Sequence, residues 1–283
     1  MSRLRASALG ATWTLGTLSA VRRSAPGGER RWARTNYAGG EVSLLGGLAL
    51  AAGAGAAAAS VGGRPGVAGT LAAAAGGGFG ALDDLVEDPA ESSTKGLRGH
   101  LGALARGRVT TGGAKLLGIS AASIVAAAIA TRGGLRDAST RPMAVRALDV
   151  ATSGALVAGT ANLLNLLDLR PGRALKAAAL AATPVALTNG PGAELAAGVV
   201  GSSLAALPTD LAETTMLGDT GANAVGAVLG TSLALTRSPW LRGAALAGVV
   251  ALTLASERVS FSRVIARTPV LREADAWGRL ERA

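Results

Sequence analysis

The chain has 283 residues, 49% apolar and only 16% charged, with 41 glycines, a net charge of +10, one histidine and no cysteine. Without cysteine there is no disulfide or thiolate chemistry, and the single His100 excludes a paired-histidine metal site. Seven aromatic residues and no basic helix interleaved with them argue against nucleic acid, so the positive charge is read as loops at a membrane surface.

The charges are clustered, with long, nearly uncharged runs of Ala, Gly, Leu and Val between them. That pattern predicts an all-α, polytopic transmembrane bundle over 1–256 and a polar, amphipathic tail over 257–283. Small residues let helices approach closely in lipid, where packing holds a bundle together. The first apolar segment, 6–21, lies between Arg3/Arg5 and Arg22/Arg23. It is read as an uncleaved span, although Leu18-Ser19-Ala20 imitates a signal-peptide cleavage site. Further spans are expected at 42–61, 67–82, 114–131, 143–160, 174–188, 193–208, 222–236 and 241–256, nine in all. Most turns on one side are short Gly/Pro sequences, such as Gly62-Gly63-Arg64-Pro65-Gly66 and Asn189-Gly190-Pro191-Gly192. The other side carries nineteen of the 28 Lys and Arg residues and is therefore cytoplasmic by the positive-inside rule. The N-terminus is then outside and the C-terminus inside, in a bacterial cell membrane.

Every motif-like segment falls on that cytoplasmic side. The 67–82 span runs into Asp83-Asp84-Leu85-Val86-Glu87-Asp88. Four carboxylates this close repel one another unless they share a cation, and Mg²⁺ usually takes one or two carboxylates plus phosphate oxygens. An acidic helix end without a ligand is the plainer reading. In Asn162-x-x-Asn165-x-x-Asp168 the step of three stacks the polar groups on one helical face, aimed at a ligand or at an interhelical hydrogen-bond ladder. Gly218-Asp219-Thr220-Gly221 opens the 222–236 span. Asp219 there can cap the helix, while the glycines and the helix N-terminus admit a phosphate. Lysine is scarce, 3 against 25 arginines, yet Lys95, Lys115 and Lys176 all lie beside these acids in sequence. That placement points to neutralisation of a diphosphate.

Taken in order, these motifs resemble the polyprenyl-phosphate N-acetylhexosamine-1-phosphate transferases. The resemblance covers about 30–235 and rests on Gly80-x-x-Asp83-Asp84 with Lys95-Gly96-Leu97 and Lys115-Leu116-Leu117 beyond it. It also rests on Asn162-x-x-Asn165-x-x-Asp168, on Gly218-Asp219-Thr220-Gly221 with Gly226, and on the 36–47 segment as a first cytoplasmic loop. It implies a Mg²⁺-dependent enzyme in which a polyprenyl phosphate attacks the β-phosphate of a UDP-N-acetyl sugar, releasing UMP. It implies catalytic Asp83, Asp84 and Asp168, substrate contacts from Lys95, Lys115, Asn162 and Asn165, and metal ligation by Asp84 and Asp219. The partners would be the lipid carrier, the UDP-sugar, the membrane and, in a homodimer, a second copy of the chain. Departures fall in the sugar half of the pattern. Pro171 stands where the family's third motif repeats an acid, the tail lacks the family's histidines, and a tenth span is missing. A non-catalytic lipid-phosphate or nucleotide binder and a transporter or scaffold are the alternative readings.

Overall fold

In lipid every backbone polar group has to be satisfied within the chain, and Ala- and Leu-rich runs do this as helices. The computed structural model describes residues 3–86, 102, 107, 111–131 and 142–280. Among the described residues nine long helices follow one another: α1 (Arg3–Arg23), α2 (Leu45–Val61), α3 (Gly63–Val86), α4 (Thr111–Thr131), α5 (Met143–Leu167), α6 (Arg173–Ala186), α7 (Ala193–Leu211), α8 (Gly218–Ala234) and α9 (Pro239–Ser256). Each expected span has its helix. Two short helices, α10 (Phe261–Arg267) and α11 (Pro269–Ala276), make the tail.

Three helical stretches, Gly112–Thr131, Met143–Leu167 and Pro239–Ser256, are long and apolar enough to cross a membrane, which marks this as a membrane protein. The others fall short for physical reasons. α2 is apolar but has 17 residues. α6 has 14, a length of about 21 Å against a hydrocarbon core of about 30 Å. α8 also has 17 residues, α1 carries four arginines, and Gly, Ser and Thr dilute α3 and α7.

Three local features differ from expectation. The loop before α2 carries a small antiparallel hairpin, β1 (Ala33–Thr35) with β2 (Glu41–Ser43), extended by a parallel bridge from Ser43 to Thr215. The turn expected at 62–66 is tighter: positive φ at Gly62 and Gly63 ends α2, and Arg64-Pro65 already lie in the first turn of α3, where proline's missing N–H costs nothing. The amphipathic tail breaks at Thr268-Pro269, because residues before proline disfavour the helical region.

α8 is the centre of the bundle. It packs on α3, α5 and α2 and is buried on almost every side. The approach is close enough to exclude side chains. A Cβ at Gly76 would stand 2.6 Å from the Asn223 carbonyl oxygen, and one at Gly230 would stand 2.6 Å from Val157 Cα. α1 contributes Ala6, Gly10, Thr14 and Leu18, a stripe at four-residue steps, to its contacts with α2 and α7. Chain direction alternates strictly. Arg3 at the start of α1 donates to the carbonyls of Ala186, Leu187 and Thr188 at the end of α6. Arg22, at the other end of α1, donates to Thr214 after α7. The ends of α3, α5 and α7 and the starts of α4, α6 and α8 therefore share one end of the bundle.

Candidate functional site

That end collects the acids. Asp83 and Asp84 lie in the last turn of α3, Asp168 just past α5, Asp210 in the last turn of α7 and Asp219 in the first turn of α8. All five lie beyond the apolar runs of their helices.

Adjacent Asp83 and Asp84 do different work. Asp84 is the remote N-cap of α8: its Oδ1 accepts from the Asp219 N–H at 3.0 Å, and its Oδ2 accepts from Thr220 N–H at 2.9 Å and Thr220 Oγ1 at 2.6 Å. These are orphan donors of a helix start, supplied by a carboxylate 135 residues away. Gly218 makes the fit possible. Its φ is +56, and a Cβ there would stand 2.5 Å from Leu44 and 2.9 Å from the Asp84 oxygens. Gly80, one turn before Asp84, lets α3 close onto the Asp219 carbonyl. With both oxygens engaged, Asp84 has little left for a metal.

Asp83 and Asp219 instead point at one cation. Lys115, in the first turns of α4, places its Nζ 2.7 Å from Asp83 Oδ2 and in contact with Asp219 Oδ2. The group is partly sheltered, with side-chain exposures of 15%, 22% and 21%. Burial first, and then the contact with the Asp83 carboxyl, push Asp219 up to about 7, against the pull of Lys115. Asp84 is also raised, by burial, although the Thr220 and Asp219 hydrogen bonds oppose it.

Asp168 stands between this group and a cavity of about 340 Å³. Gly218 N–H reaches its carboxyl, but Oδ2 is buried with no hydrogen-bond partner. Its pKa lies well above the usual carboxylate range, through burial first and then the charges of Asp210, Asp219 and Asp84. The cavity is lined by Tyr37, Asp168, Arg170, Asp210 and Glu213 among others, and Arg170 lies 4.0 Å from the centroid of the Tyr37 ring. Asp210 accepts from Gly172 N–H, and burial raises it to about 6. Asn36 donates to Glu213, pinning the hairpin loop over the cavity.

No protein-family model matches the chain, and no curated protein matches it significantly. The functional reading therefore rests on the motif resemblance together with the geometry.

Asn162 and Asn165 are partly buried on the last two turns of α5, on the face that leads to Asp168. Lys95, His100, Glu87 and Asp88 lie outside the described residues. Lys176 is turned away from the role expected of it. Its Nζ donates to the carbonyls of Ala274, Asp275 and Trp277 at 2.8–3.0 Å, capping the end of α11. Sequence reasoning missed Asp210, which the end of an apolar run on the motif-bearing side could have indicated. It also missed the tail clasp, where Arg173 takes both oxygens of Asp275 at 2.7 and 3.0 Å and donates to Ser262 at 2.9 Å. No sequence spacing announces that pairing.

The residues fit a divalent cation in one respect. Two carboxylates, Asp83 and Asp219, already face a positive charge, and Mg²⁺ commonly takes one or two carboxylates with substrate phosphates completing its shell. Among the described residues no three carboxylates or histidines gather around one ion position.

Proposed function

We propose that the protein transfers a phospho-sugar from a UDP-N-acetyl sugar to a polyprenyl phosphate, with Mg²⁺, at the cytoplasmic face of a bacterial cell membrane. The observation that supports this best is Lys115 held between Asp83 and Asp219 beside the unpartnered Asp168 oxygen. In this reading all nine long helices cross the bilayer, with the N-terminus outside and the C-terminus inside. The bundle end bearing the acids is then the cytoplasmic one.

A phosphate oxygen of the lipid carrier forms a bond to the β-phosphorus of the nucleotide sugar. The bridging oxygen leaves with UMP, taking the bonding electrons. Asp83 and Asp219 would hold Mg²⁺, which supplies charge neutralisation at the phosphates when bound. Lys115 would then offer its ammonium to the diphosphate. Asp84 positions the reaction by fixing the start of α8, whose N–H groups and dipole favour the incoming anion. Asn162, Asn165 and Asp168 take the nucleotide side, and the Asp168 oxygen meets a donor from the ligand.

The test is UMP release from a panel of UDP-sugars by purified protein with polyprenyl phosphate and Mg²⁺. Release with at least one sugar, lost with EDTA, is expected. No release with any sugar, while the lipid phosphate still binds, would favour the second reading, a non-catalytic binder. Pro171 favours that reading, standing at the cavity where the resembled family carries an acid.

A further inference from the structure

The tail leaves the bundle from α9, a helix long and apolar enough to cross a membrane and bare along its length, with Val249 its one buried residue. Ser256 therefore marks the level at which the chain emerges from the lipid. One side of the tail is engaged: Asp275 on Arg173, Arg279 on the Pro171 carbonyl, and the α11 end on Lys176. Lys176 sits one turn inside the start of α6, so α11 lies against the flank of the bundle at the depth of the helix ends. The other side is uncovered and mostly apolar, with Glu273 among its residues. Val270 is 75% exposed, Leu271 46% and Trp277 70%. Val270, Ala274 and Trp277 follow at steps of four and three, so they share one face. Around them Arg258, Arg263, Arg267 and Arg272 are exposed, with Glu257 and Glu273 the acids nearest them.

We propose that residues 258–280 are a lipid-seated platform that docks on an anionic leaflet. Val270 and Trp277 enter the interfacial zone with Leu271 at its edge, and the four arginines sit at the level of the lipid phosphates. A basic amphipathic helix with tryptophan on its apolar side partitions there for both reasons. A second copy of the chain is a poorer occupant, because a two-fold contact would set the same arginines against themselves. The inference needs only that the bundle sits in a membrane, and it is independent of the transferase reading.

The chain has no cysteine, so single labels are unambiguous. Spin labels on Val270→Cys and, as a control on the polar loop, Arg30→Cys are compared in nanodiscs of phosphatidylcholine with and without phosphatidylglycerol. With anionic lipid, the label at 270 should be several-fold more accessible to oxygen than to a water-soluble nickel complex, and the label at 30 should show the reverse. Adding Arg263→Glu, Arg267→Glu and Arg272→Glu should return position 270 to water. Should the labelled variants fail to fold, quenching by brominated lipid serves instead, and Trp277→Phe should remove a quenchable fraction from the emission. Equal water access at both positions, or shielding at 270 indifferent to anionic lipid, would overturn the proposal. Indifferent shielding that disappears at one copy per disc would identify a second copy as the occupant.

Discussion

The two ends of the bundle are built on different principles. At the end opposite the acids a single exposed cation, Arg3, donates to the last carbonyls of α6. A groove of about 940 Å³ there is lined largely by Leu, Val, Ala, Pro and Gly. At the acid end, the start of α8 is capped from α3, Lys115 of α4 joins acids of α3 and α8, and Tyr37 meets Arg170 from a loop 133 residues away. The Arg3 contact also spans the chain, 183 residues in sequence, but it sets one exposed cation on neutral carbonyls and buries no charge. The cap and ion pairs of the acid end require three helices to arrive in register, and they hold partly buried carboxylates against their desolvation cost. Such clusters of perturbed acids mark functional sites more often than structural ones.

The sharpest way to test that difference is at Asp219. Asp219→Ala should lower transfer at least 100-fold, since it removes one of two groups facing the cation. UMP release by protein with unchanged monodispersity in detergent measures it. Full activity would reject the site. Asp84→Ala should act through the fold instead. It strips three donors of a carboxylate acceptor at a partly buried helix start, at a cost of about 3 kcal/mol. Denaturant unfolding in detergent should show that loss, while a variant at Arg3 should show much less. Equal responses at both ends would mean that the two ends are held in the same way.

How much of this was legible in the sequence divides along the same line. The nine helices were readable because apolar runs and Gly/Pro turns are local signals. The shared end was readable because counting successive spans puts every second connection on the same side. Asp83, Asp168 and Asp219 could be sent to one end by that counting alone. Their division of labour could not. Nothing in Asp83-Asp84 tells which carboxylate faces α8 and which faces Lys115, because that depends on the rotation of α3, set by glycines at 76 and 80 against the α8 backbone. The hairpin at 33–43 was hidden for a related reason. Its third partner, Thr215, is far away in sequence, and two three-residue strands carry no period.

A smaller effect should appear as a pH dependence. In metal-free protein the pKa of Asp219 is raised to about 7. A group raised on folding contributes stability that is fully present below its unfolded pKa, about 4, and lost as pH rises through its folded value. A divalent cation reverses the preference by binding the ionised form. Mg²⁺ should therefore raise the thermal midpoint little at pH 5 and by several degrees at pH 8, following ligand linkage. A shift of the same size at both pH values would mean that the ion binds elsewhere.

The smallest effect is expected at the tail. Burial pushes Asp275 up, but the Arg173 hydrogen bonds and charge, with the charge of Arg279, outweigh it and leave its pKa below the usual carboxylate range. A group depressed on folding stabilises above its unfolded pKa and loses that contribution as pH falls through the folded one. The clasp should therefore hold from neutral pH down to about 4 and loosen only below it. Asp275→Asn removes the charge at every pH and leaves a single acceptor for a guanidinium that used two. Trypsin in detergent at pH 8 should then cut the tail, at Arg267 or Arg272, several-fold faster. The unfolding of the bundle should change by less than about 1 kcal/mol, because the pair lies at the rim and the core helices make no contact through it. Unchanged cleavage would mean that the Lys176 cap alone holds α11, and Lys176→Met would then have to release it.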